Sequence, residues 1–290
     1  MREGRPSWHW WWIALAVPTL LAPPVFGLVS EMAAAVDGPS WLEKATFARV
    51  FQRLLTIGAL GVGIPWFYGR RVRDRAGFGL GGDGAMRLIL NGMAFGAVLA
   101  VLQLSMHLVT GARDWEPDLG WGDVGRIVMA ALAAGFFEEV LFRGALLGVM
   151  LRSMRSVTAN LLQAAVFATV HFLKPPGFGE GYEVHAGSGF ALVGSISSAI
   201  ADEPFRWLML ALLGAVLGAM AVRWRNIWWC FGFHMIVAAG AMLLPKLTDY
   251  EGGPWRFLCE KDPSAGLDGV MLLGVVLWIV WPRPALRDRA

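Results

Sequence analysis

The sequence predicts an all-α, polytopic membrane protein, one helical bundle with about eight transmembrane helices. Three observations predict it. Hydrophobic residues make up 56 % of the 290-residue chain and charged residues 16 %, against roughly 45–50 % and 25 % in soluble globular proteins. Mean hydropathy is +0.53. The apolar residues also come in long continuous runs rather than alternating with polar ones, which argues against a membrane β-barrel. A soluble domain of this size could not bury so much apolar surface. The same composition excludes disorder, collagen and a disulfide scaffold.

A run of about 20 apolar residues crosses the hydrocarbon core, and eight runs qualify in whole or part. The first is Trp8–Val29, with Pro18, Pro23 and Pro24 expected to kink it. It is too long, and its flank holds too few arginines, for a signal peptide ending near Ala33–Ala35. Next come Phe47–Tyr68, Ala85–Val109, Val124–Leu151 and Val157–Leu173. Phe205–Val222, Ile227–Leu244 and the short Gly269–Val280, extensible to Trp281, complete the series. The longest loop, Lys174–Pro204, contains the apolar stretch Gly189–Ile200. It is too short to span and reads as re-entrant or interfacial. No internal repeat and no linker is visible, so residues 1–290 read as one domain, with a motif core at about 124–244.

Basic residues in short loops set orientation. With the N-terminus inside, 14 arginines fall inside (Arg2, Arg5, Arg70, Arg71, Arg73, Arg75, Arg87, Arg152, Arg155, Arg223, Arg225, Arg283, Arg287, Arg289). Six basic residues fall outside: Lys44, Arg113, Lys174, Lys246, Arg256 and Lys261. Both termini are therefore expected in the cytoplasm, with the chain in the inner (plasma) membrane. The net charge of +3 reflects 21 arginines and four lysines. That bias fits a GC-rich bacterial genome better than a nucleic-acid partner, and none is expected. Cys230 and Cys259 lie in different topological zones with no zinc-like or redox spacing, so no bond between them is expected.

Charges inside a bilayer cost roughly 2.5–3.5 kcal/mol each on insertion scales, so they are functional suspects. The fourth run carries Glu138, Glu139 and Arg143. Glu139 and Arg143, at i,i+4, can pair on one helix face. Glu138 is turned about 100° away. It is left in a poorly solvated site, the setting in which a carboxylate is tuned as a general base. The bland reading of Glu139 and Arg143 is an ion pair that locks helix packing. His171 closes the fifth run and His234 sits mid-way along the seventh; Phe167, at i−4 from His171, can wall its imidazole. His107, with Gln103 one turn before it, fits a helix–helix hydrogen bond better than a catalytic role. The pairs Gly92/Gly96, Gly144/Gly148 and Gly214/Gly218 point to close helix packing.

Glu138-Glu139-x-x-x-Arg143, then Phe167-x-x-x-His171, then His234 on a later run, resembles the CPBP family of intramembrane proteases. This family comprises CAAX prenyl endopeptidases and bacteriocin-processing (Abi) proteins. The resemblance implies peptide hydrolysis within the membrane by a glutamic-type endopeptidase. Glu138 would deprotonate a water, His171 would hold that water and His234 would donate to the oxyanion. Glu139, Arg143 and Phe167 would support them. The family's third motif reads His-x-x-x-Asn, whereas this chain has His234 followed by Ala238. One oxyanion donor is typically worth roughly 2.7–4 kcal/mol of barrier, so Ala238 matters to any claim of activity.

No cofactor is expected. The competing account is a zinc ion held by Glu138, His171 and His234 with an open position for water. The expected substrate is a hydrophobic or lipid-modified peptide that enters from the bilayer: a CAAX-like terminus, a leader or a C-terminal sorting segment. Two other classes stay open. One is a non-catalytic peptide-binding or immunity protein of the same fold, which Ala238 favours. The other is a transporter using intramembrane Glu and His, against which stands the lack of an inverted repeat.

Overall fold

A computed structural model describes residues 9–35, 46–70, 79–81, 84–152, 154–173, 182–255 and 258–281. Trp8, Lys44, the basic residues at 71, 73 and 75, Lys174, Arg256 and the chain ends lie outside these residues. The described chain is mostly helical and its contacts group into two units. The first comprises residues 1–71 and 169–203, the second 72–168 and 204–290.

In the first unit, α1 (His9–Ala35) packs on α2 (Phe47–Arg70). The stretch Gly189–Ile200 falls within two short helices, α7 (Ser188–Gly194) and α8 (Ile196–Asp202), numbered in chain order with the helices below. Ala22, Phe47, Phe51, Leu173 and Leu192 form the core, with Phe26 and Tyr182 packed against it. Pro23 sits one turn after Thr19 and has no N–H to offer its carbonyl. Gly189 of α7 packs against that same carbonyl, where a Cβ would collide.

The second unit begins with α3 (Ala85–Val109), then β1 (Arg113–Trp115) and α4 (Trp121–Glu138). A π-helical segment follows (Glu139–Leu147), then α5 (Gly148–Met150) and α6 (Ser156–Val170), whose last two residues fall in the first unit. After the first unit's insertion come α9 (Pro204–Trp224), α10 (Trp228–Leu247), β2 (Thr248–Tyr250) and α11 (Leu267–Val280). The fourth predicted run is thus helical from Trp121 to Met150, but changes from α to π at the glutamate pair.

Glycines let these helices touch. Gly92 and Gly96 of α3 lie against the backbone of Trp229 and Phe233 on α10, and Gly232 of α10 lies against Ile89 and Met93 of α3. Phe95 fills the seam, its ring 5.5 Å from Trp229 and 5.8 Å from Phe233. Gly214 and Gly218 of α9 receive Ala164, Asn160 and Gln163 of α6. Strands β1 and β2 pair antiparallel, Arg113 opposite Tyr250 and Trp115 opposite Thr248. This small ladder of two three-residue strands is an addition to a mostly helical fold. It forms where the chain leaves α3 and α10 and two short extended segments can satisfy each other's backbone groups.

Among the described residues, α3, α9 and α10 are long and apolar enough to cross a membrane. Ala16–Met32, α6 and α11 are shorter apolar helices. Met86, Leu90, Val98, Val101 and Val109 of α3 are exposed. So large an uncovered apolar surface on one helix suits hydrocarbon rather than water.

Candidate active site

The residues at the centre of the second unit's polar cluster come from four helical segments. Glu138 is the last residue of α4 and Glu139 the first of the π segment, which also carries Arg143. Phe167 is on α6 and His234 is one and a half turns into α10. Each helix is apolar on its other faces, so these few polar groups are driven together away from hydrocarbon.

Glu139 is the hub. It is fully buried, and its Oε1 accepts hydrogen bonds from Arg143 Nη1 at 2.8 Å and from His234 Nδ1 at 2.8 Å. A carboxylate can only accept there, so Nδ1 of His234 carries a proton. This fixes the ring and turns Nε2 toward Glu138, whose Oε2 lies 3.8 Å away. The Glu138 side chain is 28 % exposed, against 0 % for Glu139 and 6 % for His234. Of the two adjacent carboxylates, Glu139 is fully buried and Glu138 is partly exposed, although its Oε2 is buried.

Phe167 stands between the two basic groups. The Arg143 guanidinium lies 4.5 Å from the Phe167 ring centroid, and the His234 ring meets Phe167 edge-on at 6.0 Å. Phe142 adds an edge-to-face contact with Phe167 at 5.1 Å. A desolvated guanidinium over a ring is worth about 2 kcal/mol, which makes Phe167 a clamp on Arg143. Arg143 Nη2 also donates to the Gly214 carbonyl at 3.3 Å, and Gln163 Nε2 donates to the same oxygen at 2.8 Å. Asn160 Nδ2 donates to the Ala215 carbonyl at 2.9 Å. A Cβ at Gly214 would press on Ala164 and Phe167, so this glycine lets α9 approach the Arg143 pocket.

Glu138, Glu139, Arg143, Phe167 and His234 are therefore brought together within one unit. His171 belongs to the other unit, directly after the last helical residue Val170, and is partly buried. Ala238 is one turn beyond His234 on α10 and partly buried. His107 and Gln103 do make inter-helix contacts, both reaching Asp268 of α11. Both cysteines are free and buried. Asn160 and Gln163 were not singled out from the sequence, although two amides one turn apart on an apolar helix were the available signal.

An apolar helical array enclosing a histidine–carboxylate–arginine cluster, with one partly exposed glutamate, defines a class of helical membrane proteins with a buried polar site. Residues 120–240 match the family model described as type II CAAX prenyl endopeptidase Rce1-like, a model of the CPBP family. The match takes in Glu138, Glu139, Arg143, Phe167, His171, His234 and Ala238. The family supports an endopeptidase, membrane-bound and acting on a membrane-associated peptide. No curated protein and no solved structure matches the chain.

Proposed function

We propose that the protein is an intramembrane endopeptidase that hydrolyses a peptide bond in a hydrophobic or lipid-modified substrate, with Glu138 as general base. The observation that carries this reading is the facing of His234 Nε2 and Glu138 Oε2 at 3.8 Å, with the far side of the imidazole held by Glu139. The gap is wide enough for both groups to address one small reacting centre. Glu138 takes a proton from water as the water oxygen bonds to the scissile carbonyl carbon. The carbonyl oxygen, now an oxyanion, accepts a hydrogen bond from a protonated His234 Nε2. Collapse breaks the C–N bond, and Glu138 passes its proton to the leaving amine.

Charge counting supports the pairing. With Glu138 and Glu139 ionised and Arg143 and His234 protonated, the cluster is neutral. It is also neutral with one proton moved from His234 to Glu138. Neither state leaves net charge in a low-dielectric site. His171 is assigned the orientation of the water on the sequence motif alone.

A zinc ion on Glu138, His171 and His234 would supply a Lewis acid and an activated water. Glu139 is already held by Arg143 and His234, so a ligating Glu138 would leave no carboxylate in the cluster to act as base. We therefore favour the reading without metal. Ala238 favours one second reading, a non-catalytic peptide-binding or immunity protein. The eight spans, the cytoplasmic termini and a bacterial inner-membrane location belong to the same proposal.

The test is incubation of the protein, reconstituted in vesicles, with prenylated CAAX, unmodified hydrophobic and leader-type peptides, followed by mass spectrometry. Cleavage at one bond, undiminished by a zinc chelator, is expected. Folded protein that cleaves none of the three would favour the binding reading. Loss of cleavage with chelator and recovery with zinc, in a protein whose melting temperature the chelator leaves unchanged, would favour a catalytic metal.

A further inference from the structure

A second polar cluster lies in the same unit and shares no residue with the site above. His107 near the end of α3, Cys259 in the loop after β2, and Asp268 in the first turn of α11 are each fully buried. One ligand-type atom from each lies within 4.8 Å of the other two. His107 Nε2 is 3.1 Å from Asp268 Oδ2. Gln103 Nε2 donates to the same carboxylate oxygen at 3.0 Å and to the Pro263 carbonyl at 3.1 Å. Thr110 Oγ1 donates to Cys259 Sγ at 3.6 Å.

A simple histidine–aspartate pair does not account for all of this. His107 Nδ1 and Asp268 Oδ1 are buried with no hydrogen-bond partner among the described residues. Leaving such groups buried and unmatched is unfavourable. The thiol, too, adds nothing to such a pair, and it is not in a disulfide.

We propose that His107, Cys259 and Asp268 form a structural binding site for a zinc-like divalent ion. Imidazole and thiolate select a borderline-soft metal over calcium or magnesium. Zinc bonds nitrogen and oxygen at about 2.0–2.2 Å, so two such ligands at a tetrahedral angle sit about 3.3 Å apart. His107 Nε2 and Asp268 Oδ2 stand 3.1 Å apart, close to that value, and the orphaned Nδ1 and Oδ1 are the alternative donor atoms of the same two side chains. Cys259 Sγ lies within 4.8 Å of both, against roughly 3.5 Å between sulfur and nitrogen around zinc, so any inward movement of the thiol on binding is small. A thiolate and a carboxylate neutralise a divalent cation, so the loaded site carries no net charge in its buried setting. The ion would clip the end of α3 to the loop before α11 and to the start of α11, both far along the sequence from α3. This inference does not depend on the proposed reaction.

Cobalt(II) titration of the metal-stripped, detergent-solubilised full chain tests it. The expected result is about one cobalt per chain with tetrahedral ligand-field bands and a thiolate-to-cobalt charge-transfer band. Cys259→Ser should lose the charge-transfer band, while Cys230→Ser and Glu138→Gln should retain it. Zinc should displace the cobalt and raise the melting temperature of wild type but not of His107→Ala. Folded wild type without a thiolate–cobalt band, or a band that survives Cys259→Ser, would overturn the proposal. Because the wild-type spectrum is decisive by itself, a variant that fails to fold does not protect the idea.

Discussion

With its neighbours in place, the Glu139 carboxylate loses its water and gains two donors, Arg143 Nη1 and His234 Nδ1, each at 2.8 Å. Removing one partner of a buried pair leaves the other uncompensated, which costs about 3–5 kcal/mol. Arg143→Ala should therefore lower the melting temperature sharply in detergent. Glu138→Gln should leave it near wild type, because that side chain is partly exposed and Gln keeps its shape. Equal melting of the two variants would contradict the assignment of Glu139 as the held carboxylate. Ala238 poses a different question. If there is room beside it, Ala238→Asn should fold and should raise turnover by no more than the roughly 2.7–4 kcal/mol one oxyanion donor supplies. If the position is tightly packed, the larger side chain should cost roughly 1–3 kcal/mol of stability instead, and the comparison with the family's third motif would fail at that residue.

Between elements, close approach of backbones decides what a substitution does. Gly92 of α3 packs on the Trp229 carbonyl of α10, where neither backbone can give way. Gly92→Ala is expected to destabilise by roughly 1–3 kcal/mol. Gly27 of α1 has nothing within 4 Å of an added Cβ, so Gly27→Ala should be neutral or stabilise by roughly 0.5–1 kcal/mol through helix propensity. Thermal melts of the two variants check the contrast. The pairs Gly92/Gly96 and Gly214/Gly218 were legible in the sequence as packing signals, and so was the i,i+4 contact of Glu139 with Arg143. The π segment was not, because apolar periodicity barely distinguishes a short stretch of wider turns inside a long helix. Nor was the bond from Glu139 to His234. Those residues are 95 positions apart, and only the α4–α10 packing decides which of two adjacent glutamates meets the ring. The sequence paired Glu139 with Arg143 alone and pictured the Phe167 ring beside His171. The folded chain adds His234 to Glu139 and sets Phe167 against Arg143 and His234.

For the molecule as a whole, apolar content made a helical membrane protein legible before any element was placed, since hydrocarbon is the only solvent in which so much apolar surface is stable. The number of spans was less legible. Three described helices meet the length and apolarity needed to cross, while α6 and α11 are shorter, and proline-rich or polar-interrupted runs blur the count. The arginine asymmetry still makes orientation testable. Both native cysteines are buried, so introduced ones dominate labelling by an impermeant reagent. Glu116→Cys should label from outside intact cells and Arg152→Cys only after the membrane is opened. The reverse pattern would invert the topology.

The central claim is that Glu138, and not the buried Glu139, is the base for peptide hydrolysis. Single-turnover cleavage of a prenylated or hydrophobic peptide by wild type and Glu138→Gln, both in vesicles and both shown folded by melting, addresses it most directly. Wild type should cleave one bond, whereas Glu138→Gln should bind the peptide with unchanged affinity and not cleave it. Cleavage by Glu138→Gln at the wild-type rate would contradict it.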